Sequence, residues 1–334
     1  MKSLLIILIL ASSCLAQDAV KQISGITDNL EKQLSSLKVG DDLKKQCTAE
    51  IAETRANLEL KNLYLSLYTI RSCQLELASQ LYAQAKSDLS NKGAEAFETE
   101  WRQLGSLLTE KERILSDRTT NLPAVVIALA DISQSQARPY YLSGRLYALN
   151  SSMSDGIYYT GRAPANLDFA IMCRGLHLSR PKKATARFRS PEPELTQLES
   201  TTLRTYKTAD VSTQQAQFNR LNSSLKIAGE LNRASMFEGA LFKYLESKLI
   251  FGSMITPAEK EDVPHLRERT KEAEKLLVSD KVDHSIGLLF WQMADRGLNP
   301  GGKAEPSEAQ IKRAVVILNQ VLPSYFDYLK ETRQ

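Results

Sequence analysis

From Asp41 to Asn91 the chain contains neither glycine nor proline. Leu43, Cys47, Ile51, Leu58, Leu65, Cys73, Leu77 and Leu81 recur through it near helical phase. Nothing inside the stretch interrupts a helix. Val39-Gly40-Asp41-Asp42 before it supplies a stop and a start: glycine to end one helix, aspartate to cap and charge the next. Asn91-Lys92-Gly93 closes it. The pattern predicts one helix about 75 Å long at about 1.5 Å per residue. So long a helix needs a partner, and the preceding segment, 17–39, offers Ile23, Ile26, Leu30, Leu34 and Leu37 as a narrow apolar stripe. The expected unit is a long antiparallel hairpin with coiled-coil character. On one unbroken helix Cys47 and Cys73 would lie about 39 Å apart. A disulfide needs Cα atoms within about 7 Å, so the pattern predicts that these two cysteines are not bridged.

Helical spacing continues to the C-terminus. Trp101, Leu104, Leu107, Leu108, Ile114 and Leu115 mark one helix, Pro123 opens a short Ala-rich one, and Pro139 opens another. In the second half Phe218, Leu221, Leu225, Ala228 and Leu231 run on in phase to Leu241, Leu245 and Leu249. Thr256-Pro257-Ala258-Glu259 reads as a capping box. The last helix carries Ile311, Val315, Leu318, Leu322, Tyr325 and Leu329, bent at Pro323. No stretch alternates in the manner of a strand, and only 7% of residues are aromatic. The fold class is all-α. Between the halves, Ser179 to Ser190 reads SRPKKATARFRS and is followed by Pro191-Glu192-Pro193-Glu194. The expected organisation is therefore 17–178 as an N-terminal helical region, 179–205 as an exposed basic, proline-rich linker, and 206–334 as a C-terminal helical region.

Residues 1–16 have the form of a secretory signal. Lys2 gives a positive start, Leu4 to Leu10 an apolar run, and Cys14-Leu15-Ala16 a small-x-small cleavage site before Gln17. The run is too short to span about 30 Å of hydrocarbon as a helix. Ala11-Ser12-Ser13-Cys14 also resembles the lipobox of bacterial lipoproteins, although that pattern prefers Leu where Ala11 stands. The resemblance implies lipidation of Cys14 and tethering to a membrane. Leu122 to Ile132, bounded by Pro123 and Asp131, is the best later candidate for a span and falls short of one. Cleavage after Ala16 leaves Cys47, Cys73 and Cys173, an odd set that leaves a thiol free or intermolecular.

The chain comes closest to a motif in two similar runs. Tyr141-Leu142-Ser143-Gly144-Arg145 matches Tyr158-Tyr159-Thr160-Gly161-Arg162. On a helix each places an aromatic beside a glycine notch, and Ser151 to Asp155 is a polar turn between them. The pair reads as a signature of close antiparallel helix packing. Tyr140, Gly144 and Tyr147 also resemble the tetratricopeptide repeat, with Ser143 where that repeat has Leu. The resemblance implies an α-solenoid of antiparallel hairpins that binds partners on a concave face. The chain likewise resembles exported helical proteins of bacteria, a likeness that carries no activity over. Pro164 frees a backbone carbonyl in the second run, beside Arg145 and Arg162. Arg145, Arg162, Tyr141 and Tyr158 are therefore the candidate ligand-binding residues, for a small anionic group.

Signatures of catalysis are wanting. Cys173 and His177 are four apart, which is two potential metal ligands and not a site. Gly301-Gly302-Lys303 is followed by Ala304, where a phosphate loop needs Ser or Thr. Ser35 to Lys38 and Ser223 to Lys226 lack the Lys-Thr-Gly that would accompany a Ser-x-x-Lys nucleophile. No metal or cofactor is expected. A net charge of +4 does not argue for nucleic acid. The sequence points to an exported, periplasmic or extracellular, non-enzymatic scaffold or protein-binding module with an unidentified protein partner. The alternatives are an envelope lipoprotein of the same fold and an enzyme whose site is scattered over several helices.

Overall fold

The computed structural model describes residues 19–116, 122–176, 178, 188–208, 211–256, 262–279, 282–301 and 304–331. The signal-like segment with Cys14, His177, most of the basic run and the Thr256–Glu259 box beyond its first residue lie outside the described residues. The described chain is all-helical. Its helices are α1 (Ala19–Ser36), α2 (Asp41–Glu59), α3 (Leu63–Ala85), α4 (Leu89–Lys92), α5 (Ala94–Ile114), α6 (Ala124–Asn150) and α7 (Met153–Arg174). They continue as α8 (Glu192–Thr208), α9 (Val211–Arg233), α10 (Phe237–Ile255), α11 (Val263–Ser279), α12 (Ser285–Leu298), α13 (Glu308–Val316) and α14 (Leu322–Glu331). Among them no helix is long and apolar enough to cross a membrane.

The long helix expected over 41–91 does not exist. The chain reverses at Leu60–Asn62, and α2 and α3 form an antiparallel hairpin. Lys61 takes the left-handed conformation, φ 60°. The Asn62 N–H donates to the Asn57 carbonyl at 2.8 Å and the Lys61 N–H to Leu58 at 3.0 Å. These bonds form the 6→1, 5→2 pair that usually ends a helix on glycine. The reversal brings Cys47 and Cys73 together in a disulfide, with Cα atoms 5.0 Å apart. The expectation that these cysteines stay unbridged fails because its premise, one straight helix, fails.

A second hidden reversal separates α9 from α10, where the apolar phase runs through unbroken. Ser235 stands at φ 55°. Met236 N–H bonds Leu231 at 2.9 Å and Ser235 N–H bonds Asn232 at 3.0 Å, in the same pattern. Conversely, Pro139 starts nothing: α6 runs through it from Ala124 to Asn150, and α7 likewise runs through Pro164. Pro323 is accommodated by a π-helical stretch, Ile317–Val321, between α13 and α14, where Leu322 N–H reaches back to Ile317. Within the stretch read as a linker, residues 192–205 belong to α8, whose Leu195 and Leu198 are buried. Leu107 and Ile114, assigned to a helix stripe, are exposed on α5.

Buried side chains form one main core that draws on both halves of the chain, from Ile23 through Leu129, Phe169, Leu221 and Leu245 to Leu329. A smaller cluster surrounds the disulfide: Leu30, Leu34, Ile51, Ile70 and Leu77. The most intimate helix pair is α6 with α7. A Cβ on Gly144 would collide with the Thr160 side chain and lie 2.6 Å from its backbone nitrogen; one on Gly156 would lie 2.5 Å from the nitrogen of Ala148. Gly161 faces the ring of Tyr82 on α3, and a Cβ there would stand 2.7 Å from the ring carbons. The two similar runs are thus sites of close helix approach.

Candidate functional site

The four ligand-binding candidates fall into two separate clusters. Arg145 donates to Glu98 at 2.7 Å and lies 4.8 Å over the Trp101 ring. Tyr141 stacks on the same Trp101 at 4.3 Å, and the two exchange hydrogen bonds, hydroxyl to Trp101 carbonyl at 2.9 Å and indole N–H to Tyr141 carbonyl at 3.1 Å. Arg162 and Tyr158 both bond Glu76, the guanidinium also donates to the Tyr158 hydroxyl at 2.9 Å, and it sits 5.1 Å over Tyr140. Burial and the Glu76 carboxylate push the Tyr158 hydroxyl's pKa up. Each arginine already has a carboxylate and an aromatic face.

Cys173 is a buried thiol, its pKa raised by burial. Among the described residues no group of His, Cys, Asp and Glu could hold a metal ion.

A different place gathers charge beside open space. A cavity of about 520 Å³ lies between the α2–α3 hairpin and α10, with walls from α6, α12 and α13. Its floor is buried and apolar: Leu65, Leu129, Ile132, Phe242 and Met293. Tyr68 of α3 reaches across to α10, its ring 6.0 Å from Phe242 and its hydroxyl donating to Glu246 at 2.9 Å. Glu246 also pairs with Lys243 and accepts from Ser224 of α9 at 3.4 Å. Burial alone would push the Glu246 carboxyl up; the Lys243 ammonium, the Tyr68 hydroxyl and Arg220 outweigh it and hold the pKa below the usual value. Glu246's charge, then burial, drives Tyr68 upward.

The remaining cations of the cavity have no such partner. Arg71 is half-buried; its Nε donates to Ser133 Oγ at 2.9 Å and its guanidinium lies 5.7 Å over Phe169. Burial lowers its pKa, against the opposing pull of Glu246. Arg313 contacts the Met293 sulfur at 3.4 Å, and Arg296 donates to the Asn299 carbonyl at 3.4 Å. Among the described residues none of these three guanidinia is in an ion pair. At the rim Glu50 accepts from the Cys73 backbone N–H at 2.7 Å and from Gln46 at 2.8 Å, which ties the cavity wall to the disulfide.

Periodicity alone does not find this site, because its walls come from helices distant in sequence. A local signal does exist: Lys243 and Glu246, with Glu238 and Lys248, interrupt Phe237–Ile255, otherwise one of the most apolar stretches of the chain. Charges placed there need a reason. Comparison with protein-family models, with curated proteins and with solved structures gives no match.

Proposed function

We propose that this chain is an exported, non-enzymatic helical binding module, built from antiparallel helix pairs in a solenoid-like array, that works by holding a ligand in the cavity between its α2–α3 hairpin and α10. The observation that carries the reading is the cavity itself: about 520 Å³, apolar at the base, with guanidinium groups around it that form no ion pair among the described residues. Binding sites have this form, a concave apolar pocket with a few oriented polar groups. The Cys47–Cys73 disulfide supports export, since such bonds persist in oxidising compartments. The signal-like residues 1–16 point the same way. Arg145 and Arg162, the ligand-binding candidates of the sequence, do not line this cavity.

Two readouts on exported protein test the proposal. Intact mass should correspond to a chain starting at Gln17 with one disulfide; a diacylglycerol-modified Cys14 at the front would replace it with the lipoprotein reading. Protein isolated under native conditions, then denatured and extracted, should release a small molecule unchanged. Conversion of that molecule on incubation with fresh protein would make the chain an enzyme.

A further inference from the structure

We infer that the cavity takes a small organic anion with an apolar body, its carboxylate or phosphate held by Arg71 and Arg313 and its body resting on Leu129, Phe242 and Met293. The inference rests on the binding-module reading and adds the class of ligand.

Charge accounting leads there. Lys243 and Glu246 neutralise each other, and Tyr68 donates to the same carboxylate. Glu50 accepts from the neutral Cys73 N–H and Gln46 and keeps its charge, and Glu53 is exposed at the rim. The lining thus sets four cations, Arg71, Lys243, Arg296 and Arg313, against three carboxylates, Glu50, Glu53 and Glu246. Arg71 is the telling one: its direct partners are a neutral hydroxyl and an aromatic face, and the carboxylate that acts on it, Glu246, is shared with Lys243. A guanidinium withdrawn from water with only a share of a carboxylate's charge is unfavourable, and an anion beside it improves the balance. Arg71 and Arg313 line the same cavity as the Tyr68 ring. Planar guanidinium groups suit the paired oxygens of carboxylate and phosphate. Below them the buried floor offers no charge to a ligand's body, so a hydrophilic anion would leave that surface uncovered.

Isothermal titration of the mature chain with four matched probes tests this: 3-phenylpropionate, phenyl phosphate, 3-phenylpropanol and 3-phenylpropylamine. The anions should bind at least about tenfold more tightly than the alcohol and the amine, a gap of about 1.4 kcal/mol. The tighter anion identifies the head group. Arg71→Gln should weaken both anions about tenfold and leave the alcohol unchanged, with Arg313→Gln acting in the same direction. Arg55→Gln, whose side chain pairs with Asp28 and Glu31 away from the cavity, should change nothing. If Arg71→Gln does not fold, Arg313→Gln decides. Alcohol binding as tight as anion binding would overturn the anion class and leave the binding-module reading standing. Anion binding unaltered in both arginine variants would put the site elsewhere and overturn the inference. Failure of all four probes to bind would remove the inference and the cavity reading together.

Discussion

The hairpins α2–α3 and α9–α10 turn in the same way and are held together differently. Each reverses on a non-glycine residue in the left-handed region, Lys61 in one and Ser235 in the other, with matching backbone bonds. Into the interface α9 sends Phe218, Leu221, Leu225, Ala228 and Leu231, all buried. From α2 the buried residues are only Cys47, Ile51, Thr54 and Asn57, and the Asn57 amide has no hydrogen-bond partner among the described residues. Burying an unpaired amide is unfavourable, and the apolar area available to offset it is small. The disulfide sits in the hairpin with the thin apolar face, where a covalent clamp contributes most relative to packing.

The comparison can be broken from either side. Leu221→Ala in α9 should have the largest effect, a loss of about 3 to 5 kcal/mol in chemical denaturation, because its side chain is fully buried in the main core. A loss under about 1 kcal/mol would mean that packing does not hold this hairpin. Replacing both Cys47 and Cys73 by Ser should remove about 3.5 kcal/mol by the loop-entropy relation. Hydrogen exchange should show the loss concentrated in α1–α3; uniform loosening would contradict the division of labour drawn here.

Glu246→Gln is next, since Glu246 links the hairpins through Tyr68 and Ser224. It leaves the half-buried Lys243 without its carboxylate and should cost about 2 kcal/mol at neutral pH. The folded-state pKa of Glu246 is depressed. Its contribution is therefore fully present above the unfolded value of about 4.3 and is lost as pH falls through the lower, folded value. Wild type and variant should converge in stability below about pH 4, and a gap that widened on acidification would refute the assignment. The smallest effects belong to the turns: Lys61→Gly and Ser235→Gly should each stabilise by about 0.5 to 1 kcal/mol, because glycine enters the left-handed region without strain. Equal gains would support one turn type in two places.

These turns also explain what the sequence conceals. Helix class was legible throughout, because apolar residues keep a helical period and no strand-like alternation competes. The α6–α7 contact was legible too, in Gly144, whereas Gly161 leaves its notch for Tyr82 of α3. The reversals at Lys61 and Ser235 were not. A helix that ends on glycine announces itself, whereas Asn57-Leu58-Glu59-Leu60-Lys61-Asn62 continues the helical phase across its own break. Only Asn57 and Asn62 hint at it. Missing that break hid the disulfide, and the hidden disulfide concealed the cavity wall that it supports. Pro139 points in the opposite direction, reading as a helix start where α6 runs on unbroken.

Non-reducing peptide mapping of the purified protein tests the central claim most directly. The structure requires one crosslinked peptide pair joining Cys47 to Cys73 within a single chain, with Cys173 recovered as a free thiol after denaturation in alkylating agent. Recovery of Cys47 and Cys73 as alkylated thiols, or a crosslink from either of them to Cys173, would contradict the α2–α3 hairpin clamp and remove its support for export.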